Sequence, residues 1–173
     1  MTTSRSTPPP RRSRLDELRD VGLFGGLDEA ALAALVDTLE EVHKAPGDVV
    51  FQEGDSGREL FVLVEGEVEV IRHTRRGAET RVALFGPGDW FGEMSIIDVQ
   101  PRSATLRTIS PARLVRMTAH DLDSLYRRDV KSYALVVLNI ARELSRRLRV
   151  TDHLIAELVA NMSMEYRPAR QQG

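Results

Sequence analysis

The spacing of apolar residues divides the chain into three zones. In the first zone, from Leu27 to Val42, leucine and valine recur at the three- and four-residue spacing of a helix face. Asp28 and Glu29 are typical of a first helical turn, and Pro46-Gly47 is typical of the segment that follows a helix. We therefore predict an N-terminal helix over the Leu27–Val42 segment.

The middle zone, from Gly47 to Met117, consists of short strand-like runs separated by turns. Eight of the twelve glycines lie between Gly47 and Gly92 and separate these runs. The Glu67–Val70 segment alternates acidic and apolar residues, which is the period of a half-buried strand. Many short strands with regular turns predict a β-sandwich or a jelly roll. The strands are expected at Asp48–Gln52, Glu59–Glu65, Glu67–His73, Thr80–Phe85, Ala104–Ile109 and Ala112–Met117.

The third zone is helical and carries a heptad repeat. A short helix is expected at Ala119–Arg127, followed by a long C-terminal helix over residues 130–162. Apolar residues along the long helix alternate spacings of four and three, which is the seam pattern of a coiled coil. The seam predicts a homodimer through residues 130–162, with packing against the chain's own barrel as the alternative. Its members are Val137, Ala141, Leu144, Leu148, Thr151, Ile155, Leu158 and Met162, of which Thr151 alone is polar.

Composition narrows the possible functions. The 173 residues are enough for one domain, and a net charge of −2 gives no general attraction to nucleic acid or an acidic membrane. The absence of cysteine excludes disulfides, thiolate zinc sites and thiol catalysis. We expect a cytoplasmic protein without membrane association, since the chain shows neither a secretory signal nor an apolar run of membrane-spanning length. Residues 1–20 are predicted to be a disordered basic Pro/Arg tail, residues 21–129 a jelly-roll domain with flanking helices, and residues 163–173 a flexible tail.

Catalytic motifs are missing from the sequence. We find no Ser/His/Asp order, no HExxH motif and no phosphate-binding Walker loop. The four histidines fall on different predicted elements, so a clustered metal site is not expected. We therefore predict a protein that is not an enzyme and has no metal or cofactor.

The segment between the strand and helix zones holds the residues best suited to bind a ligand. Gly92 lets the backbone approach a ligand closely and precedes a short helical turn, Glu93 to Ile97, whose N–H groups favour an anion. Arg102, held by Pro101, offers a bidentate clamp for two phosphate oxygens. Glu93 is an acceptor beside that anion, and it suits a sugar hydroxyl rather than a phosphate. A phosphate and a ribose hydroxyl side by side describe a nucleotide.

Two runs in this segment, Phe91-Gly92-Glu93-Met94-Ser95-Ile96 and Pro101-Arg102-Ser103-Ala104-Thr105, resemble the phosphate-binding cassette of cyclic nucleotide-binding domains. The resemblance covers about Val21 to Val159 and implies a mainly β fold: a β jelly roll (double-stranded β-helix) with an N-terminal helix and a long C-terminal helix. It also implies that Glu93 receives the ribose 2′-hydroxyl and Arg102 binds the cyclic phosphate. The ligand-binding residues it implies are Phe91, Gly92, Glu93, Met94, Ser95, Arg102, Ser103, Ala104 and Thr151.

Thr151 belongs to a narrower resemblance on the long helix. The run from Arg146 to Thr151 is similar to the central helix of bacterial catabolite activators, in which a threonine contacts the base across the dimer seam. Asp152 departs from that pattern, which puts a second cross-subunit contact in doubt. The chain leaves no room after this helix for a helix-turn-helix, so direct DNA binding is not expected.

The resemblance and the residues together lead to a cyclic nucleotide sensor. Thr151 and a serine at position 103 favour cAMP as ligand, with cGMP as the second candidate. Binding is expected to rearrange the C-terminal helix and to signal to a separate, unidentified downstream protein. The alternative is a ligand-independent scaffold or dimerisation module that keeps the fold. Two side roles are expected outside the pocket: Trp90 in the core or at its rim, and Arg142, Arg146, Arg147 and Arg149 on a solvated helix face.

Overall fold

The computed structural model describes residues 11–74 and 77–165 of the chain. Three helical segments precede the strands: α1 (Arg11–Arg19), a 3₁₀ turn (Gly22–Phe24) and α2 (Glu29–Val36). The short helix α3 (Met94–Ile97) interrupts the strands, and α4 (Ala119–Arg128) and α5 (Val130–Glu165) follow them. The strands are β1 (Glu40–Lys44), β2 (Val49–Phe51), β3 (Glu59–Glu65), β4 (Val68–His73), β5 (Glu79–Phe85), β6 (Trp90–Phe91), β7 (Thr105–Thr108) and β8 (Ala112–Thr118).

The strands form two antiparallel four-stranded sheets. One sheet has the order β1-β8-β3-β6 and the other β2-β7-β4-β5. Consecutive strands therefore alternate between sheets in several places, as in a jelly roll. The predicted fold class, a β jelly roll with helices at both ends, is confirmed, and the six predicted strands lie within one or two residues of observed ones.

Two apolar clusters hold the barrel and its helices together. The first joins α1, the 3₁₀ turn and α2 to the inner part of α5 and one face of β3 and β8; Leu23, Leu60 and Val136 are fully buried there. The second fills the space between the two sheets around Leu63, Val68 and Leu114. Four phenylalanines pack together in and against the second cluster, with neighbouring ring centroids 5.5–6.1 Å apart; they are Phe51, Phe61, Phe85 and Phe91.

The predicted helix over Leu27–Val42 is too long. Asp28 caps its start by accepting a hydrogen bond from the backbone N–H of Ala31, but α2 ends at Val36. After a turn, residues 40–44 form β1, which pairs with β8 over its whole length. Tertiary pairing with a neighbouring strand overrides the helical spacing of the sequence in this segment.

The prediction of a disordered tail over residues 1–20 is wrong for its second half. Arg11–Arg19 forms α1, whose Leu18 is only 1% exposed. Glu17 accepts two hydrogen bonds from the guanidinium of Arg113 on β8, and Arg14 donates to the carbonyl of Leu39. These contacts order a segment whose basic, proline-rich context suggested disorder. The predicted disorder of residues 1–10 lies outside the described residues.

Helix α5 has a packed first half and an exposed second half. Val136 and Ile140 are buried in the first cluster, and Asn139 donates to the carbonyls of Leu23 and Gly25. From Leu148 to Met162 every residue is exposed. The helix continues to Glu165, beyond the predicted end at Met162, and the predicted tail from residue 166 onward lies outside the described residues. No helix in the described part of the chain is long and apolar enough to span a bilayer.

Candidate functional site

A pocket opens between the cassette segment (residues 91–105), the β2-β7-β4-β5 sheet and Arg147 of α5. It encloses about 480 Å³ of space, including the part that is open to solvent. Its wall contains eight of the nine residues implied as ligand contacts, namely Phe91, Gly92, Glu93, Met94, Ser95, Arg102, Ser103 and Ala104. The wall also includes five residues that were not expected at the ligand site, which are Phe51, Val70, Phe85, Leu106 and Arg147.

The backbone at the end of β6 turns sharply to start the cassette. Gly92 has a φ of +87°, in the left-handed region that favours glycine. A Cβ at this position would come within 2.7 Å of Nη1 of Arg102 and 2.9 Å of the carbonyl oxygen of Glu59. Glycine is therefore required here both for the turn and for the approach of Arg102. The predicted helical turn follows as α3, with Ser95 donating to the carbonyl of Gly92 at 2.9 Å.

Arg102 is buried and held in place by several contacts, although its guanidinium is charged. The residue is 4% exposed, and its Nη1 donates to the carbonyls of Glu59 and Gly92 and to Oγ of Ser95 at 2.7–3.1 Å. Nη2 lies 3.0 Å from Oε1 of Glu59, and the guanidinium stacks 4.0 Å from the ring centroid of Phe51. These contacts fix the plane of the guanidinium before any ligand arrives.

The same guanidinium keeps capacity for an anion. Among the described residues, Nε of Arg102 has no hydrogen-bond partner, and Nη2 contacts Glu59 without the alignment of a hydrogen bond. Burial lowers the pKa of Arg102, and the carboxylate of Glu59 opposes that change. A buried N–H without an acceptor costs free energy, which a bound phosphate oxygen would recover.

Glu93 is the second buried charged group of the pocket, with 3% of its surface exposed. Burial raises the pKa of Glu93 above its ordinary value, and the nearby positive charge of Arg147 opposes this rise. A raised pKa means that this carboxyl favours folding most at low pH, and that the contribution is lost as the pH rises through the raised value. A group that donates a hydrogen bond to the ionised carboxylate of Glu93 therefore offsets part of the cost of burying this charge at neutral pH.

Arg147 on α5 supplies that charge and closes the pocket from the helix side. Its Nη1 lies 3.2 Å from Oε1 of Glu93, its Nη2 donates to the carbonyl of Trp90 at 2.7 Å, and its Nε donates to Glu143 at 2.7 Å. The guanidinium also lies 5.0 Å from the ring centroid of Phe85. The expectation that Arg147 lies on a solvated helix face is therefore wrong. The sequence feature that could have placed Arg147 at the site is its position one turn before Thr151, together with Glu143 four residues earlier.

The serines of the cassette have different partners. Ser95 accepts from Arg102, as described above. Ser103 Oγ lies 3.8 Å from Sδ of Met94, and the carbonyl of Ser103 accepts a hydrogen bond from Arg72 at the end of β4. Ser95 and Ser103 both line the pocket, together with Arg102.

Thr151 and Trp90 lie outside the pocket wall. Thr151 is exposed on α5, one turn beyond Arg147, and its hydroxyl donates to the carbonyl of that residue at 3.0 Å. Trp90 is buried in the first apolar cluster with its ring against Gly22, which confirms the expected core role. In the described part of the chain, no group of three or more histidine or carboxylate side chains is arranged to hold a metal ion.

Comparisons with known proteins agree with this geometry. A family model described as the cyclic nucleotide-binding domain matches residues 41–129, just over half of the chain. The CRP-like cAMP-activated global transcriptional regulator of Mycobacterium tuberculosis is 36% identical over 146 residues, which cover 84% of this chain and 63% of the regulator. The chain thus spans less than two thirds of that regulator's length.

Two solved structures show the same fold. The catabolite activator protein of Thermus thermophilus superposes with a TM-score of 0.71 at 33% identity, covering 80% of this chain and 63% of the other. A cyclic nucleotide-binding domain from Methylobacillus flagellatus superposes with a TM-score of 0.75 at 25% identity, covering 85% and 83% of the two chains.

Proposed function

Because the chain belongs to the cyclic nucleotide-binding domain family, we propose that it is a sensor that binds cAMP between the cassette and α5. The observation that carries this proposal is the pairing of two buried, opposite charges on one pocket. Arg102 has an N–H without an acceptor among the described residues, and Glu93 is ionised only against the cost of burial. A cyclic phosphate and a ribose hydroxyl complement these two groups in turn.

The roles of the pocket residues follow from their contacts. Arg102 binds the cyclic phosphate, with the backbone of Gly92 and Met94 and the hydroxyls of Ser95 and Ser103 beside it. Glu93 accepts from the ribose 2′-hydroxyl. The apolar wall, which includes Phe91 and Ala104, excludes water from these polar contacts and strengthens them.

Signalling runs through the contact between Glu93 and Arg147. The ligand binds to Glu93 in the cassette, and Oε1 of Glu93 forms an ion pair with Nη1 of Arg147 on α5 at 3.2 Å. Ligand binding therefore shifts the balance between arrangements of α5, to the extent that the ligand prefers one of them. The output passes to a separate downstream protein in the cytoplasm, and the chain itself performs no catalysis.

The exposed half of α5 supports a homodimer as part of this proposal. Its large apolar side chains remain in contact with water in the single chain, and such patches mark association surfaces. The heptad spacing makes the surface complementary to a second copy of itself. The seam members concerned are Leu148, Ile155, Leu158 and Met162.

In such a dimer, Thr151 contacts the purine base bound by the partner chain. The description of the mycobacterial relative as cAMP-activated supports adenine as that base, with cGMP as the second candidate. We expect Thr151→Val to weaken cAMP binding roughly three- to tenfold, the loss of about one hydrogen bond, with little change for cGMP. Titrations with both nucleotides measure this, and sedimentation checks that the variant keeps the oligomeric state of the wild type. An unchanged ratio of the affinities for cAMP and cGMP would contradict the proposal that Thr151 contacts the base.

The alternative function is a scaffold that binds no ligand in its pocket. It leaves unexplained why two ionisable side chains are buried around an open cavity, since each costs stability without a ligand. Thermal denaturation with and without cAMP separates the two functions. At a cAMP concentration about one hundred times the dissociation constant, a sensor gains about 2.7 kcal/mol of stability, whereas a scaffold gains none.

A further inference from the structure

Arg147 is held from two sides, by the cassette and by its own helix. On the cassette side it contacts Glu93 and the carbonyl of Trp90. On the helix side its Nε donates to Oε1 of Glu143, four residues earlier on α5, at 2.7 Å. A helix brings residues at this spacing to the same face, so the pair forms without any change in the backbone.

The carboxylate of Glu143 is unusually well fixed for a residue on a helix surface. Its side chain is 10% exposed, and Oε1 and Oε2 also accept from Nη2 and Nε of Arg146 at 2.7 and 2.8 Å. Arg146 is 65% exposed and covers the carboxylate from the solvent side. These hydrogen bonds lower the pKa of Glu143, so it stays ionised.

We propose that Glu143 is a positioning residue for the nucleotide site: it fixes Nε of Arg147, so that Nη1 and Nη2 face Glu93 and the carbonyl of Trp90. An arginine side chain loses considerable conformational entropy when it is held in one rotamer. Glu143 supplies part of that ordering before the ligand binds. This inference rests on the proposed function, because it assigns the role of Glu143 to the same pocket.

The same arrangement gives Glu143 an electrostatic effect on Glu93. Two carboxylates share one guanidinium, and the negative charge of Glu143 raises the pKa of Glu93, while Arg147 and Arg102 lower it. The other charged neighbours are Arg146, which pairs with Glu143, and Asp89, whose negative charge contributes to raising the pKa of Arg146. Removing the charge of Glu143 while keeping its oxygen therefore lowers the pKa of Glu93.

The affinity for cAMP depends on pH because the ionised form of Glu93 accepts the hydrogen bond from the ribose hydroxyl. Affinity for cAMP falls as the pH decreases through the raised pKa of Glu93. We expect Glu143→Gln to move this loss to lower pH. We expect Arg147→Ala to move it to higher pH, because the positive charge that favours the carboxylate is gone.

The test uses the full chain with Glu143→Ala and Glu143→Gln, each in the wild-type and the Arg147→Ala background. Glu143→Ala is expected to weaken cAMP binding about tenfold, the size of one charge-assisted hydrogen bond. Glu143→Gln, which keeps an acceptor for Nε, is expected to retain affinity within about threefold of the wild type at neutral pH. In the Arg147→Ala background, Glu143→Ala is expected to cause no further loss of affinity, because the guanidinium that Glu143 positions is absent. The matched control is Asp123→Ala, which removes the carboxylate of an exposed i, i+4 pair with Arg127 and leaves affinity unchanged.

Carbon-13 NMR titration of the Glu93 carboxyl in the ligand-free protein gives an independent readout. The predicted order of pKa values is Glu143→Gln below wild type and Arg147→Ala above it. The inference is overturned if Glu143→Ala lowers the affinity equally in both backgrounds. It is also overturned if the pKa of Glu93 is the same in Glu143→Gln as in the wild type. If the wild type binds no cAMP but the pKa values follow this order, the positioning role stands and the proposed ligand is wrong.

Discussion

Replacing Arg102 with alanine lowers the affinity for cAMP at least about 100-fold, because two charge-assisted hydrogen bonds of roughly 1.5–3 kcal/mol each are lost. Arg102→Lys keeps the charge but not the planar fork or the stacking on Phe51, and it is expected to lose about tenfold or more. Isothermal titration of both variants with cAMP measures these losses.

Arg107 on β7 provides the matched control for this prediction. It is also an arginine paired with glutamate, Nε to Oε1 of Glu69 at 2.8 Å, but it lies outside the pocket wall. Arg107→Ala is expected to keep wild-type affinity. Because Arg102→Ala also leaves Ser95 and two carbonyls without their donor, circular dichroism must show that it is folded. A folded Arg102→Lys protein that binds cAMP as tightly as the wild type would contradict the phosphate assignment.

The second large effect is expected for Gly92→Ala. A non-glycine residue at positive φ costs about 1–3 kcal/mol. The added Cβ would also lie 2.7 Å from Nη1 of Arg102 and 2.9 Å from the carbonyl oxygen of Glu59. Since the carbonyl belongs to β3 and cannot move freely, Arg102 has to shift. We expect lower stability and at least about a tenfold loss of cAMP affinity, which is about 1.4 kcal/mol.

Gly88→Ala separates the two causes. Gly88 has nearly the same backbone conformation, φ +91°, but nothing lies within 4 Å of a Cβ there. This variant is expected to lose only the stability that a residue at positive φ costs, and to keep its affinity. Chemical denaturation and nucleotide titration of the pair measure both quantities. Equal affinity losses in the two variants would show that the contact of Gly92 with Arg102 is unimportant for binding.

The parts of the fold that depend on local chemistry were predictable from the sequence. Glycine-rich turns separate the strands, so six strands were placed within one or two residues. The cassette was also predictable, because Gly92, Glu93 and Arg102 combine a turn, a carboxylate and a cation in a fixed order. The structure brings all three to one pocket.

The parts that depend on distant contacts were not predictable. Residues 40–42 were included in the predicted helix but belong to β1, which pairs with β8 more than sixty residues later. Helix α1 is ordered by burial of Leu18 and by the contact of Glu17 with Arg113, neither of which is visible in local composition. Arg147 looked like one member of a basic run, because only the fold shows which face of α5 meets the cassette. Pairing across sequence distance, rather than local propensity, decides each of these cases.

The central claim is that one cavity binds the phosphate and the ribose of cAMP through Arg102 and Glu93. Isothermal titration of the full chain with cAMP tests this claim most directly. We predict saturable binding with one nucleotide per chain and a dissociation constant in the micromolar range or tighter, about −8 kcal/mol or more favourable. Heats that match buffer dilution with both cAMP and cGMP, for a protein that is folded by circular dichroism, would contradict it.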